Sequence, residues 1–382
     1  MSRTKIVRRL LAWFVANARD LPWRRTRDPY AIWVSEIMLQ QTQVRTVIPY
    51  WERWMRELPT IRALSKAHST KLHKLWEGLG YYTRVRNMQK AARVILSEHG
   101  GRFPHQFEKV LDLPGIGRYT AGAICSIAFN QPYPVLDGNV IRVLTRVFGI
   151  AGNPRESRTN ALLWELAEDL VRIAVTSPAL LVPTRPDTLK SSGLCSNQAE
   201  AFQASHLNQA LMELGALVCT ARQPGCHICP IHRFCVARRD KRIEDLPALS
   251  SRAPAIRRRF VAFVLERQGW VLVRQRPAHG VNAHLWEFPN FELGDSDLRR
   301  AARKEFKALP GLEHFCSIKH NITRFRITVD VFRAPLHRRL ALPPRLNGRW
   351  LTLDSLQDLP FSSAHKRILL KFGESLQRSV SN

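Results

Sequence analysis

Four of the seven cysteines fall within one short stretch, CTARQPGCHICPIHRFC. Cys219, Cys226, Cys229 and Cys235 follow the spacing C-x6-C-x2-C-x5-C. We expect no secretory leader, and a chain of this length does not need disulfides to fold, so clustered thiols indicate a metal site rather than two disulfides. An iron–sulfur cube, held at its corners by four thiolates, suits one compact loop, although the spacing alone also allows zinc.

A glutamate lies inside an apolar helical segment, DPYAIWVSEIMLQQTQV. Asp28 as the N-cap and Pro29 at the first helical position predict where this helix begins. Helical spacing places Glu36 on one face with Ile32 and Leu39, so its carboxyl is expected in a partly apolar pocket. Such a carboxyl keeps its proton more readily, as a general acid requires. A surface glutamate at the edge of a helix is the simpler alternative.

A second carboxylate, Asp137, immediately precedes a predicted helix in YPVLDGNVIRVLTRVFGI. Capping alone would explain an aspartate at this position. Asn139 adds an amide beside it, and Gly138 allows a ligand or backbone to come close. One protonated acid and one ionised partner can break a glycosidic C–N bond, because the acid protonates the leaving base and the anion faces the oxocarbenium-like sugar.

The stretch LDLPGIGRYTAGAICSIAF places a Pro-Gly-Ile-Gly turn between two predicted helices. Gly115 and Gly117 are expected to supply the positive φ and the close approach that a tight hairpin needs. Arg118 lies inside the turn, and the N-terminus of the next helix, with Thr120 near it, presents free N–H groups to an anion. A helix–hairpin–helix of this kind would bind the phosphate backbone without reading base sequence. An ordinary helix–helix turn is the alternative interpretation.

The chain is strongly basic, with 59 Lys and Arg against 31 Asp and Glu and a net charge of +28. This excess predicts a polyanionic partner. No apolar run approaches the length of a membrane-spanning helix, so nucleic acid is favoured over a membrane. The first residues, MSRTKIVRRLLAWF, lack the small-residue cleavage site of a secretory signal. We expect a monomer in a prokaryotic cytoplasm, associated with the nucleoid.

The sequence pattern predicts two domains of different class. Residues 1–236 are helix-patterned, and 237–257 form a charged, Pro- and Ser-bearing linker. Residues 258–382 contain paired runs of strand-forming residues around short turns. The expected architecture is therefore an all-α domain followed by a smaller α+β domain. Residues 175–198 are interpreted as a surface insertion in the first domain.

Five motifs occur in one order along nearly the whole chain: LPWRRTRDPYAIWVSEIMLQQTQV, LPGIGRYTAGAI, LDGNVIRV, NQALMELGALVC and LPFSSAHKRIL. Together they resemble the helix–hairpin–helix DNA glycosylases with an iron–sulfur loop, and within them the adenine DNA glycosylases of the MutY type. The resemblance implies a 4Fe–4S cluster bound by the four cysteines of the loop 219–235, and a Nudix-like second domain. It also implies hydrolysis of the N-glycosidic bond of adenine opposite 8-oxoguanine or guanine in double-stranded DNA.

The same resemblance implies roles for single residues. Glu36 would be the general acid toward adenine N7, and Asp137 would stabilise the cationic sugar. Tyr119 and Asn139 would position these two carboxyl groups. The other implied roles are wedging into the duplex for Gln41 and Tyr81, binding of the DNA backbone by Gly115, Gly117 and Arg118, and formation of the adenine pocket by Trp23 and Arg24.

Two positions refine the expected activity. Related strand-nicking enzymes carry a lysine where this chain has Tyr119, and that amine attacks the sugar. A phenol cannot form a Schiff base, so we expect a monofunctional glycosylase. The Phe-Ser-His turn with which the family senses oxidised guanine appears here as Ile322, Thr323 and Arg324. Only the hydroxyl of Thr323 is kept, so discrimination of the lesion is expected to be weaker or to be achieved differently.

The Nudix-like domain itself is not expected to hydrolyse nucleotides. Nudix hydrolases need an acidic metal-binding helix, and the corresponding segment here, DSDLRRAARKEFKAL, is basic.

Two other functions of the whole protein remain as alternatives. One is a glycosylase of the same superfamily for thymine glycol or mismatched thymine, which the long second domain argues against. The other is a non-catalytic DNA-binding protein, which would not require both Glu36 and Asp137.

Overall fold

The computed structural model describes residues 2–177, 202–249, 254–278, 280–293, 312–322, 324–336 and 348–380. Most of the predicted insertion, the basic segment 295–309 and Thr323 lie outside these ranges. The chain divides into two compact units, Met1–Lys66 with Asn87–Ser251, and Ala67–Arg86 with Arg252–Asn382. The segment 67–86 thus groups with the carboxy-terminal residues, although it lies inside the helical part of the sequence.

Helices are the regular elements of the described chain up to residue 249. In order they are α1 (Arg3–Asn17), α2 (Pro29–Leu39), α3 (Val44–Glu57), α4 (Ile61–Lys66), α5 (Ser69–Leu75), α6 (Thr83–Glu98), α7 (Phe107–Leu111), α8 (Arg118–Phe129), α9 (Gly138–Phe148), α10 (Ser157–Thr176), α11 (Gln203–Leu217) and α12 (Val236–Arg239). Short 3-10 turns occur at Pro22–Arg24 and His232–Phe234. None of the described helices is long and apolar enough to cross a membrane.

Helix α11 lies at the centre of the first unit and contacts α1, α8, α9 and α10. Most of its residues are buried, including polar ones, so it is surrounded by the other helices. Helix α2 packs against α3 and α8 and is also largely buried. It begins as the sequence predicts, because the side chain of Asp28 accepts the N–H of Tyr30 and Pro29 occupies the first turn. These contacts bring the motif-bearing segments together.

Within its described residues, the second unit is built on a seven-stranded sheet. Its strands are β1 (Ile256–Arg267), β2 (Trp270–Gln275), β3 (Trp286–Glu287), β4 (Asn290–Glu292), β5 (Glu313–Ile322), β6 (Phe325–Pro335) and β7 (Gly348–Thr352). Their order is β3-β2-β1-β6-β5, with β4 paired to β1 and β7 paired to β2. Among the strands of the described residues, β1 and β6 pair in parallel and the other pairs are antiparallel. Two helices follow, α13 (Leu353–Gln357) and α14 (Ser363–Val380).

The strand pattern predicted from the sequence is confirmed in this sheet. The β1–β2 hairpin turns at Gln268 and Gly269, which both have positive φ, as a two-residue turn requires. The alternate residues of β1 face two apolar clusters, with Ala262 and Val264 on the side covered by α14 and Val261 on the other. Burial on both faces explains why residues 260–265 of this strand form an uninterrupted apolar run. The predicted class, all-α followed by α+β, is confirmed.

The predicted linker overlaps regular structure at both ends. Its first residues, 237–239, complete α12, and its last two residues, 256 and 257, begin β1. Charge and proline content indicate an irregular connection, but they do not mark where the neighbouring elements begin.

Candidate active site

A cavity of about 610 Å³ lies in the first unit, bordered by residues of α2, α8, α9 and α11. This volume falls within the range of about 300–1,000 Å³ that is common for small-molecule sites. Residues predicted from widely separated motifs line the cavity together: Trp23, Arg24, Glu36, Gln41, Tyr119, Asp137 and Asn139.

Glu36 is the buried acid of this cavity. The side chain is only 5% exposed, and its Oε2 atom accepts a hydrogen bond of 2.7 Å from the Tyr119 hydroxyl. Burial raises the pKa of Glu36 to about 7; the charge of Asp137 adds to this rise, and the Tyr119 hydrogen bond and Arg24 oppose it. A carboxyl with this pKa still holds its proton in a large fraction of molecules near neutral pH.

Asp137 both caps α9 and faces the cavity. Its Oδ1 atom accepts the N–H of Val140 at 2.7 Å, and Oδ2 accepts the side-chain amide of Asn139 at 2.9 Å. Burial raises the pKa of Asp137 above its usual value, while these hydrogen bonds act in the opposite direction. Asp137 therefore serves both as the N-cap of α9 and as a carboxyl group of the cavity.

Tyr119 lies beside both carboxyl groups. Besides its hydrogen bond to Glu36, its hydroxyl lies 3.4 Å from the sulfur of Met212. Burial, and then the nearby charges of Glu36 and Asp137, raise the pKa of Tyr119 well above its ordinary value. The phenol therefore stays neutral and acts as a hydrogen-bond donor.

Glu213 is a cavity residue that the sequence analysis did not identify. It is 1% exposed and forms ion pairs with Arg19 at 2.8 Å and with Arg24 at 2.9 Å. Burial alone would raise the pKa of Glu213, but the hydrogen bonds from the two arginines lower it to about 2. The signal was available, because Glu213 stands among apolar residues of NQALMELGALVC as Glu36 does in its own helix.

Arg142 connects the cavity to the cysteine loop and was also missed. It donates to Oδ1 of Asn139 at 2.8 Å, to the carbonyl of Gly215 at 2.7 Å and to the carbonyl of Cys219 at 2.7 Å. The first of these bonds orients the Asn139 amide, because its oxygen is engaged and its nitrogen is left to donate to Asp137. No local pattern in the sequence indicates contacts that lie more than seventy residues away.

The Pro-Gly-Ile-Gly turn connects α7 to α8 and gives its two glycines different roles. Gly115 has φ +81°, and a Cβ there would lie 2.6 Å from the Cβ of Asn87, so both reasons for glycine apply. The prediction of positive φ at Gly117 is wrong, since that residue is the extended N-cap of α8 with φ −102° and open space around it. Arg118 is exposed, and its guanidinium lies 4.1 Å from the ring centre of Trp164.

The two predicted wedge residues share an unusual backbone conformation. Gln41 has φ +59° and Tyr81 has φ +48°, both in the left-handed region. Gln41 is exposed, and Tyr81 is 49% exposed. Residues other than glycine rarely adopt positive φ, so contacts with the surrounding structure must hold Gln41 and Tyr81 in this conformation.

The four loop cysteines line one small cavity in the first unit, together with Arg146 and Arg238. Among the described residues, no three His, Cys, Asp or Glu side chains converge on a point that would hold a single metal ion. Four thiols around one cavity are the kind of ligand that binds the corners of an iron–sulfur cube.

The surroundings of the thiols also fit an anionic cluster. The Arg146 guanidinium lies 3.5 Å from the Cys219 sulfur. Burial raises the pKa of Cys229 to about 11, and the backbone N–H of Ile231 acts against this rise. For Cys235, burial likewise raises the pKa, and backbone N–H groups oppose it. N–H groups directed at sulfur stabilise thiolates, which is the form that binds iron.

Ile322 and Arg324, which are predicted to take part in lesion recognition, lie where β5 ends and β6 begins. Ile322 is the last residue of β5 and pairs with Phe325. Arg324 is exposed, its carbonyl accepts the N–H of Ile256 at 2.9 Å, and its guanidinium lies 5.5 Å from the ring centre of Phe325.

Comparison with known proteins extends across both units. Residues 34–169 match the HhH-GPD superfamily of base excision DNA repair proteins, and residues 260–371 match the NUDIX domain. The adenine DNA glycosylase of Rattus norvegicus is 34% identical over 97% of this chain and 78% of its own length. That of Buchnera aphidicola from Acyrthosiphon pisum is 31% identical over 84% of each chain.

A solved structure of a thermostable thymine-DNA glycosylase is also similar, with 28% identity and a TM-score of 0.51. It covers 62% of this chain and 97% of its own. The adenine DNA glycosylases, in contrast, match most of this chain at up to 97% coverage. The chain therefore belongs to the adenine DNA glycosylases, the DNA-binding enzymes of base excision repair that hydrolyse the bond between adenine and its deoxyribose.

Proposed function

We propose that the protein removes adenine paired with 8-oxoguanine, or with guanine, from double-stranded DNA and acts as a monofunctional monomer. The observation that carries this proposal is Glu36, a buried carboxyl with a pKa of about 7, in one cavity with Asp137. This pair supplies a proton for the leaving base and a negative charge for the sugar.

The chemistry follows from the two carboxyl groups. Glu36 in its protonated form donates to N7 of adenine, which lets the electrons of the bond between C1′ and N9 leave with the base. Asp137 in its ionised form stabilises the positive charge that develops on the sugar. Water then adds to C1′ and loses a proton, which regenerates the acid and leaves an abasic sugar.

The rest of the cavity suits a flipped base. Trp23 is buried and meets Trp51 edge-to-face with 6.1 Å between ring centres, so its indole is held in place. Arg24 is fixed by its ion pair with Glu213 and lines the same cavity. A rigid aromatic wall and a fixed donor are the groups with which proteins hold an extrahelical base.

The proposal includes a 4Fe–4S cluster held by Cys219, Cys226, Cys229 and Cys235. When bound, it would cross-link four points of the loop and would take no part in the hydrolysis. Purified protein should contain close to four irons per chain, as expected for one cube. Stoichiometric zinc without iron, from cells grown with ample iron, would contradict this assignment.

One assay tests the activity. Duplexes carrying adenine opposite 8-oxoguanine, adenine opposite guanine, or thymine glycol opposite adenine are incubated with excess enzyme, with and without a final alkaline treatment. We expect strand breaks only at adenine, and only after alkali, because Tyr119 offers no amine to cleave the abasic sugar. Breaks without alkali would contradict the monofunctional assignment, and cutting at thymine glycol alone would contradict the substrate.

A further inference from the structure

The segment 67–86 carries Tyr81 and groups with the sheet-containing unit rather than with the helices on either side of it in the sequence. This grouping has a specific basis in side-chain contacts. The Arg86 guanidinium donates to the carbonyl of Ala283 at 3.4 Å, and the Lys74 ammonium donates to the carbonyl of Leu359 at 3.1 Å. Both contacts lie within the second unit.

Glu77 is the centre of this attachment. Its Oε1 atom accepts the backbone N–H of Phe361 at 2.8 Å. Its Oε2 atom lies 3.3 Å from the Lys74 ammonium and 3.5 Å from that of Lys366. The side chain is 13% exposed, so these charges interact through less water than a surface ion pair does. One carboxylate thus holds the segment to α14 and to the chain that precedes it.

The Phe361 N–H depends on this carboxylate. The residues on either side of Phe361 pair with β3. The N–H of Trp286 donates to the carbonyl of Pro360, and the N–H of Ser362 donates to the carbonyl of Trp286. In such a ladder the N–H of the intervening residue points to the other side, where it meets Glu77. Phe361 is fully buried, so loss of its acceptor would cost the full desolvation of a donor.

The same segment fixes Tyr81 through the residue next to Glu77. Trp76 is fully buried, and its indole N–H donates to the carbonyl of Gly80 at 3.0 Å. The Arg84 guanidinium lies over both aromatic rings, 5.3 Å from that of Trp76 and 5.7 Å from that of Tyr81. It also donates to the carbonyl of Leu79 at 3.0 Å. A displacement of Trp76 would therefore move Tyr81.

We infer that Glu77 is a positioning residue that fixes Tyr81 to the Nudix-like unit. The unit that recognises the base opposite adenine then also fixes the position of Tyr81, the side chain predicted to enter the duplex. This inference rests on the proposed function and on the prediction that Ile322, Thr323 and Arg324 of the second unit recognise that base. Its consequence is that Glu77 controls the preference for 8-oxoguanine over guanine without touching DNA.

The test compares single-turnover excision of adenine opposite 8-oxoguanine and opposite guanine. Glu77→Ala is expected to lower the ratio of the two rates by about fivefold or more, which is within the range for coupled residues. Glu77→Gln should lower it less, since its amide oxygen still accepts the Phe361 N–H. The matched control is Glu266→Ala, which removes an ion pair with Arg333 in the same unit at similar burial and should leave the ratio unchanged.

A double-mutant cycle with Tyr81→Ala separates positioning from general stability. If Glu77 acts through Tyr81, its replacement in the Tyr81→Ala protein has no further effect on the ratio. Binding of the two duplexes in a Glu36→Gln background gives the same comparison if excision becomes too slow to follow.

Two outcomes would overturn the inference: an unchanged ratio in Glu77→Ala, whether or not both rates fall equally, or additive effects in the cycle. A wild-type protein that excises no adenine from either duplex would instead overturn the proposed function, and the inference with it. Thermal unfolding of each variant shows whether a rate loss reflects unfolding.

Discussion

Glu36 and Asp137 lie in the same cavity but receive different hydrogen bonds, and this difference separates their roles. Glu36 accepts one bond from the neutral hydroxyl of Tyr119. Asp137 accepts a backbone N–H and an oriented amide, which favour its ionised form. Burial raises the pKa of both carboxyl groups, but hydrogen bonding to the ionised form is more extensive at Asp137 than at Glu36, which separates the acid from the anion.

Replacement of the acid tests this assignment directly. Glu36→Gln keeps the shape of the side chain but has no proton to donate at useful acidity, so excision should fall at least about 100-fold while DNA binding is retained. Single-turnover kinetics and a binding isotherm on the same duplex measure the two effects. An equal loss of binding and excision would show that Glu36 serves the fold rather than the reaction.

The pH dependence of excision should follow the same two groups. With a Glu36 pKa of about 7, the rate should fall as the pH rises through 7, because the acid loses its proton. On the acid side the rate should fall as Asp137 becomes protonated. Tyr119→Phe removes a hydrogen bond that lowers the pKa of Glu36, so the alkaline limb should move to higher pH. A limb that stays in place would assign it to another group.

The sequence identified several site residues from their local surroundings, but it did not indicate their distant partners. Asp28, Glu36 and Asp137 stand at recognisable places in their own helices, next to capping or apolar residues. Glu213 and Arg142 act through contacts with residues more than seventy positions away in the chain. Helical periodicity contains no information about such contacts, which exist only after the helices have packed.

At the scale of elements, the hairpin between α7 and α8 shows how far a motif predicts geometry. The pattern Pro-Gly-Ile-Gly indicated a tight turn, and the turn is present. It could not show which glycine takes the left-handed conformation, because that depends on where α8 begins and on Asn87 in another helix. Positive φ occurs at Gly115 and not at Gly117.

The two glycines form a matched pair for a stability experiment. Gly115→Ala should lower the free energy of unfolding by more than about 1 kcal/mol, because the new Cβ meets Asn87 in a backbone conformation that alanine avoids. Gly117→Ala should change it by less than about 1 kcal/mol, since an extended residue in open space accepts a methyl group, whereas alanine is a poorer N-cap than glycine. Denaturant unfolding, followed by the circular dichroism signal of the helices, measures the free energy of unfolding of both variants. Equal destabilisation by the two variants would contradict this geometry.

Measuring DNA binding by the Gly115→Ala and Gly117→Ala proteins tests whether the hairpin contacts the phosphate backbone. If phosphate approaches the N-terminus of α8 closely, Gly117→Ala should weaken DNA binding although it keeps the fold intact. Unchanged affinity in that variant would place the backbone contact elsewhere in the hairpin.

At the scale of the whole chain, the division into units is the feature that the sequence predicts least. The change from helical to strand pattern indicated two domains, and both classes of structure are present. The grouping of 67–86 with the second unit has no sequence signal, because it arises from single side chains such as Glu77 that meet backbone groups almost three hundred residues later. The boundaries at 236 and 258 therefore remain a prediction.

The net charge of +28 gives the molecule a general attraction to DNA, against which any specific recognition must be measured. Flipping an adenine costs a few kcal/mol, and the enzyme must regain this energy more fully at a damaged pair than at a normal one. Arg324 is exposed at the β5–β6 turn and is charged at every accessible pH. We therefore expect it to raise affinity for all DNA, in addition to any contact with the lesion.

Replacement of Ile322, Thr323 and Arg324 by Phe, Ser and His tests this expectation. Loss of one phosphate-binding cation should reduce the slope of log affinity against log salt concentration by about 1. The preference for adenine opposite 8-oxoguanine over adenine opposite guanine should widen, because less of the binding energy is then independent of the base. Both are measured across a salt series, with Arg172→His, at an exposed ion pair with Asp169, as the control for charge alone. If slope and preference both stay at their wild-type values, this turn does not read the lesion, and recognition lies elsewhere in residues 255–382.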